Sequence, residues 1–257
     1  MSESRTHEAV VNAQFGARAA AYLSSAVHAA GGDLDALAAL LRGQSEARVL
    51  DVGCGAGHVS FAVAPQVHEV VACDLSPEML AVVAAAAHER GLANVATREG
   101  VAERLPFPEA SFDFVLSRYS AHHWGDFDAG LREIARVLKP GGVAAIVDSI
   151  SPGRPQLDTF LQAIELLRDT SHVRSRSWAE WQAGLAGAGL DPRRALAFKV
   201  RLEFDVWVAR MRTPRVQADA IRAIEAAMPA GVVSHFAIGA DGSFSLDVAL
   251  FEAVLPS

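Results

Sequence analysis

The sequence predicts an α/β fold in which a mostly parallel sheet carries helices on both faces. Three observations point there. Five short apolar stretches are interspersed with helix-like stretches over residues 48–148, as buried parallel strands linked by crossover helices are. The first of those stretches ends in an acid and runs at once into a glycine-rich turn and a new helix. Apolar residues make up 51% of the 257 positions, enough for one large buried core.

Residues 8–42 read as helical, rich in alanine and leucine, with a break at Gly31-Gly32 and Asp33 as N-cap of the second piece. Arg48 to Val52 (RVLDV) is the first strand; after GCGAG a helix runs to about Ala64. Val67 to Asp74 is the second strand. Ser76 caps the next helix with Pro77 at its first position, and Gly91 ends it. Val95 to Arg98 and Phe112 to Ser117 are strands, and Asp128 to Leu138 is a helix stopped by Lys139-Pro140-Gly141-Gly142. Val143 to Asp148 is the fifth strand. Farther on, Leu157 to Arg168 and Ala179 to Ala188 read as helices and Ala197 to Phe204 as a strand. Val206 to Met228 is mostly helical with a break at Pro214, and Ser243 to Val254 alternates as a terminal strand. With no repeats and no low-complexity linker, one domain is expected: a helical cap at 1–44, a ligand-binding core at 45–150, and lid helices with C-terminal strands at 151–257.

Composition narrows the function. The formal charge is −7, and residues 1–150 hold 11 basic and 18 acidic side chains against 12 of each in 151–257. That balance gives no electrostatic footprint for nucleic acid. No run of about 18 apolar residues suggests a membrane span, and the polar N-terminus lacks a secretory pattern. Cys54 and Cys73 alone make neither a disulfide framework nor a zinc site. No metal-binding constellation appears, and a cytoplasmic setting is expected.

The informative segment is VLDVGCGAGHVS, residues 49–60. Glycines 53, 55 and 57 let a ligand approach the backbone, and the following helix N-terminus offers free N–H groups. The nicotinamide fingerprint G-x-G-x-x-G is not met, because His58 stands at its third glycine. Asp51 instead precedes the glycines, where a carboxylate suits the ammonium of S-adenosylmethionine. Asp74 closes the second strand 17 residues beyond Gly57, where an acid can accept from both ribose hydroxyls.

Here the chain resembles the class I methyltransferases over residues 45–150, particularly the type that methylates ubiquinone and menaquinone precursors. VLDVGCGAGHVS, VVACDLSPEML, EGVAERLPFPEASFDFVLSRYSAHHW and REIARVLKPGGVAAIVD fall in the family's order. QFGARAAAYLSSAVHAAGGDL, LLRDTSHVR and WVARMRTP extend the likeness, over nearly the whole chain, to the YafE-like bacterial proteins. The resemblance implies a Rossmann-like fold with a seven-stranded sheet and helical lid additions, and S-adenosyl-L-methionine as cofactor with S-adenosyl-L-homocysteine as product. It implies that Gly53, Gly55 and Gly57 line the methionine moiety above Asp51, with Asp74 at the ribose and Leu75 and Met79 against the adenine. Ala102 and Glu103 would edge the adenine ring, Ser117 and Arg118 would flank the methionine chain, and Phe15 and Tyr22 would close over the cofactor. Val101 departs from the family, where many relatives carry Asp.

Methyl transfer needs a base only when the acceptor bears a proton. The candidates are Tyr119, His122 and His123 in SRYSAHHW; the alternative is that these residues cap the next helix or pack on the sheet. His172 and Arg174 are candidate contacts to a small-molecule acceptor, anionic or partly apolar. Arg174, Arg176, Arg210, Arg212 and Arg215 could equally form a solvated face paired with Asp205 and Asp219. Two rival functions stay open on the sequence alone: a nicotinamide oxidoreductase on the same fold, and a non-catalytic S-adenosylmethionine-binding protein.

Overall fold

Seven strands form one sheet: β1 (Arg48–Val52), β2 (Glu69–Asp74), β3 (Val95–Glu99), β4 (Phe112–Arg118), β5 (Leu138–Ser149), β6 (Asp191–Leu202) and β7 (Phe244–Val254). The computed structural model describes residues 6–16 and 31–257. Strand order is β3-β2-β1-β4-β5-β7-β6. The first five strands are parallel, and β7 runs antiparallel to both β5 and β6. From β1 the chain first builds outward through β2 and β3, then returns to the other side of β1 as β4. That reversal leaves a crevice at the carboxyl ends of β1 and β4, where ligands bind in open α/β sheets.

The alternation of side chains along each strand fills two cores. Leu50 and Val52 face one side of the sheet and pack with Leu131, Ile134, Trp181, Leu185 and Phe251; these come in part from helices α5 (Phe127–Val137) and α7 (Trp178–Gly187). Val49 and Val70 face the other side with Leu37, Val59 and Val63, under α2 (Gly32–Leu40) and α3 (His58–Val63). Helix α4 (Pro77–Glu89) adds Val83 and Ala86 against Ala72. A third cluster joins α6 (Pro155–Arg168), α8 (Phe204–Met211), α9 (Arg215–Ala227) and α10 (Ala230–Phe236) to the ends of β6 and β7.

Local sequence explains the helix starts. Ser76 accepts from the Met79 N–H with Pro77 at the first turn, and Asp126 accepts from the Ala129 N–H to open α5. Ser177 and Glu180 form a reciprocal capping box on α7. Helix α1 (His7–Phe15) is capped by Thr6.

Some expectations are corrected. Asp33 is not the N-cap of α2: Gly31 holds that position with no side-chain bond, and Asp33 lies inside the helix. Its carboxylate is occupied by Arg118, whose Nε donates to Oδ2 at 2.6 Å with both side chains nearly buried. The strand expected at Ala197–Phe204 is β6, which begins at Asp191 and ends before Phe204 opens α8. Helix α10 is hard to read from sequence because Gly231 interrupts a segment of only seven residues. Tyr22 and His28 lie outside the described residues.

The Asp33–Arg118 pair ties α2 to the end of β4 beneath the crevice. Removing one partner of a buried pair leaves an uncompensated charge, typically a loss of about 3–5 kcal/mol. Asp33→Asn should therefore lower the unfolding free energy by about 3 kcal/mol in urea titration. The double change Asp33→Leu with Arg118→Met should recover most of that loss; a single-mutant loss below about 1 kcal/mol would contradict the assignment.

Candidate active site

The turn after β1 is held by the end of β2. The N–H groups of Gly53 and Cys54 both donate to the Cys73 carbonyl, at 2.8 and 3.0 Å. The Gly55 N–H donates to Asp74 Oδ2 and the Ser76 N–H to Asp74 Oδ1, each at 2.9 Å. Gly53 and Gly55 take φ of +65° and +50°, which side-chain-bearing residues resist. A Cβ at Gly53 would also stand 1.9 Å from Ser120 Oγ, whereas one at Gly55 would meet nothing within 4 Å.

Asp51 is 1% exposed. Its Oδ2 accepts from Ser60 N–H at 3.1 Å and from Ser60 Oγ at 2.7 Å, while buried Oδ1 has no partner among the described residues. Burial pushes its pKa up to about 6 against the opposing Ser60 hydrogen bonds. Burial likewise raises that of Asp74. A buried acceptor left open in this way can take a donor from water or from a bound molecule.

Asp51, Gly53, Gly55 and Asp74 line a cleft of about 1120 Å³, together with Leu75, Met79, Val101, Ala102 and Glu103. Helix α1 closes one side with His7, Val11 and Phe15. His7 Nε2 lies 2.7 Å from the His123 carbonyl, which can only accept, and the Phe15 ring meets the His123 ring edge-on at 4.9 Å.

A second cavity, of about 680 Å³, lies behind Phe15, Tyr119 and His123, which line both spaces. Its polar part includes His122, Ser149, Glu165, Arg168 and Asp169; Val200, Leu202, Trp207, Met211, Leu246 and Val248 supply an apolar wall. Tyr119 sits at φ +54°, an unusual conformation for a non-glycine residue, and its ring stacks under the Arg118 guanidinium at 4.8 Å. Burial raises its phenol pKa, and a hydrogen bond to Asp33 adds to that.

Three imidazoles adjoin this cavity, with ring centroids 4.1 Å apart for His122–His123 and 5.7 Å for His122–His172. Their protons can be placed from their partners. His122 Nδ1 lies 2.5 Å from Asp148 Oδ1, and the His122 backbone N–H donates to Asp148 Oδ2 at 3.0 Å. Nδ1 therefore carries hydrogen, and Nε2 has no partner among the described residues. His123 Nδ1 faces the Ser171 carbonyl at 3.1 Å and must donate to it. Gln162 spends its amide N–H groups on Asp158 and the Ser175 carbonyl, so its Oε1 accepts from His172 Nε2 at 2.9 Å. Burial opposes charge on all three rings. At His122 the Asp148 carboxylate outweighs burial and raises the pKa. His123 and His172, buried beside His122, are pushed down to about 3. Of the three rings, His122 is the one whose surroundings favour taking up a proton.

A methyltransferase-domain family model matches residues 50–146. The chain is 48% identical to the uncharacterised protein YafE of Escherichia coli K12 over 201 residues, 78% of this chain and 97% of that one. It is 40% identical to the uncharacterised methyltransferase YcgJ of Bacillus subtilis over 200 residues, 78% of this chain and 79% of that one. The chain belongs to the class I S-adenosylmethionine-dependent methyltransferases, close to the YafE-like proteins. The YcgJ crystal structure superposes with TM-score 0.84 at 35% identity, covering 88% of this chain and 98% of that one. The crystal structure of a Bacillus halodurans C-125 protein gives 0.85 at 32% identity, covering 88% of this chain and 100% of that one. The oxidoreductase and non-catalytic readings are not favoured by these relatives.

Within this methyltransferase the structure distributes the sequence candidates unevenly. Asp51, Gly53, Gly55, Asp74, Leu75, Met79, Ala102, Glu103 and Arg118 line the cleft, although Glu103 Oε1 is already taken by the N–H groups of Gly125 and Asp126. Gly57 is not in the lining: a Cβ there would meet Phe61 and Val83 within the helical layer. Ser117 is buried away from the cleft and donates to the Val52 carbonyl at 2.8 Å, joining β4 to β1. Arg174 and His172 line neither cavity; Arg174 is paired with Asp158 and Glu180, and His172 is held by Gln162. Arg215 pairs with Asp219 on the surface as a solvated face would, and Trp178 and Trp181 pack on Phe251. Sequence reasoning misses Glu165, Arg168 and Asp169. The three-residue spacing of Glu165 and Arg168 on α6 is the one signal of a shared face.

The turn makes a testable contrast. Gly55→Ala should cost about 1 kcal/mol, the backbone term alone. Gly53→Ala should cost at least about 1 kcal/mol more, because Ser120 must also move. Thermal melts of the two variants compare them directly, and equal losses would contradict the clash at Ser120.

Proposed function

We propose that the cleft holds S-adenosylmethionine and the second cavity holds a small-molecule acceptor, with Phe15, Tyr119 and His123 at their junction. The observation that carries this reading is the open, buried Oδ1 of Asp51 in a cleft that ends at Asp74. Asp51 would take the ligand ammonium and Asp74 the ribose hydroxyls, with Leu75, Met79 and Ala102 flanking the adenine. Gly53 and Gly55 would let the methionine chain pass close to the backbone. When bound, the cofactor supplies an electrophilic methyl group on sulfonium sulfur.

The chain's own contribution is alignment, exclusion of water and proton handling. His122 in its neutral form can accept at Nε2 the proton of an acceptor O–H or N–H. Asp148 holds the Nδ1 hydrogen and stabilises the resulting imidazolium. His123 is too weak a base for that role, because burial and the adjacent His122 hold it neutral. Residues 151–257 furnish most of the second cavity and act as the acceptor-binding part of a single domain. Among the described residues no helix is long and apolar enough to cross a membrane; free Cys54 and Cys73 fit work in the cytoplasm.

Calorimetric titration with S-adenosylhomocysteine tests the cofactor half. Asp51→Asn and Asp74→Asn should each weaken binding at least about tenfold, the loss expected for a hydrogen bond to a charged group. Unchanged affinity in both would overturn the placement. In the free protein Asp51 titrates near 6, and its ionised form is the one that binds an ammonium. Affinity should therefore be about tenfold weaker at pH 5 than at pH 7, and Asp51→Asn should flatten that dependence.

The pH profile of turnover tests the proton acceptor. Asp148 on β5 and Glu165 and Asp169 at the end of α6 raise the His122 pKa, while the neutral rings of His123 and His172 flank it. Turnover of an acceptor that must lose a proton should rise through a midpoint above 6.5, the ordinary histidine value. Asp148→Asn should move the midpoint down, and His122→Gln should lower kcat about a hundredfold or more. A profile unmoved by Asp148→Asn would remove His122 from the role.

A further inference from the structure

The second cavity has an unequal hydrogen-bond inventory. Two carboxylates in or beside it, Asp169 and Asp148, are spoken for. Asp148 accepts from the His122 ring and backbone and from the Ser149 N–H. Asp169 accepts from the Ser171 N–H at 2.9 Å and Oγ at 2.6 Å. Glu165 faces only Arg168, at 3.4 Å. That separation is long for a charge-assisted pair.

Donors remain in surplus. The Arg168 side chain is 12% exposed. Its Nε donates to the Trp207 carbonyl at 3.1 Å and its Nη1 to Glu165, while Nη2 has no partner among the described residues. Its guanidinium lies over the Trp207 ring, 4.9 Å from the centroid, an orientation that fixes the fork. A guanidinium stays charged at all working pH values, and a buried charge without a full partner is costly. His122 Nε2 likewise has no partner among the described residues, and Arg210 adds a second cation to the lining. The wall formed by Val200, Leu202, Leu246 and Val248 offers neither donor nor acceptor side chains.

We propose that the acceptor is a carboxylate with an apolar, ring-sized body, its carboxylate on Arg168 and its reacting heteroatom toward His122. This rests on reading the second cavity as the acceptor site. A neutral or cationic acceptor would leave Arg168 Nη2 without an anionic partner in the loaded site, whereas a carboxylate supplies two acceptor oxygens in a geometry the guanidinium fork fits.

The test is calorimetry on the full chain, with and without saturating S-adenosylhomocysteine. The probes are benzoate, 4-hydroxybenzoate, 4-hydroxycinnamate and indole-3-acetate, each beside its own neutral amide. At least one acid should bind about tenfold or more tightly than its amide, as a charge-assisted pair requires. Arg168→Gln should bring that ratio to within about twofold, and Arg168→Lys should keep part of it. If every wild-type acid binds no better than its amide, the proposal is overturned without recourse to any variant. If the preference persists in Arg168→Gln, the assignment to Arg168 is wrong. Failure of S-adenosylhomocysteine to bind would strike the cofactor placement separately, since the acid–amide ratio is also measured without it.

Discussion

The site depends on one carbonyl and one carboxylate at the end of β2. The Cys73 carbonyl takes two consecutive N–H groups from the turn after β1, and the Asp74 carboxylate takes a third at Gly55. These bonds fold the turn back across the sheet and fix where α3 starts. They also leave Asp51 buried beneath the turn, satisfied by Ser60 on one oxygen alone. The left-handed backbone at Gly53 is then set against the Ser120 side chain. Ser120 and His123, on the same loop, both line the cleft. Local strain and an unsatisfied acceptor cluster here because the surrounding sheet is rigid enough to hold them.

Much of the fold is legible in the sequence because local and global preferences agree. The order of strands and helices through Asp148, the Ser76-Pro77 start of α4 and the stop before Lys139 follow from apolar runs, caps and breakers. Legibility falls where tertiary contacts override local chemistry. Asp33 has the chemistry of an N-cap, yet Arg118 recruits it, and a bare Gly31 starts the helix instead. The first half of β6 is exposed and carries Pro192 with two arginines, so its sequence does not read as a strand; the ladder with β7 makes it one.

The candidate site is legible to the extent that its chemistry is written in the strand ends. Asp51, Gly53, Gly55 and Asp74 sit at the ends of adjacent strands, so their convergence on one cleft follows from their place in the strand order. The acceptor side is assembled from β4, β5, α6, α8 and β6–β7, and no single segment contains it. RDTSHVR does mark the right region, but its chemistry belongs to Arg168 and Asp169. His172 and Arg174, which look more reactive in isolation, are tied up by Gln162, Asp158 and Glu180. The adjacent His122 and His123 are distinguished only by their tertiary partners, Asp148 for one and the Ser171 carbonyl for the other. One is thereby made basic and the other inert.

The most direct test is a crystal structure of the protein with S-adenosylhomocysteine. The expected result is an ammonium on Asp51 Oδ1, ribose hydroxyls on Asp74, and the sulfur facing the junction of Phe15, Tyr119 and His123. An adenosyl group bound outside the cleft, or a sulfur turned away from the second cavity, would contradict the arrangement of cofactor and acceptor on which the proposed chemistry rests.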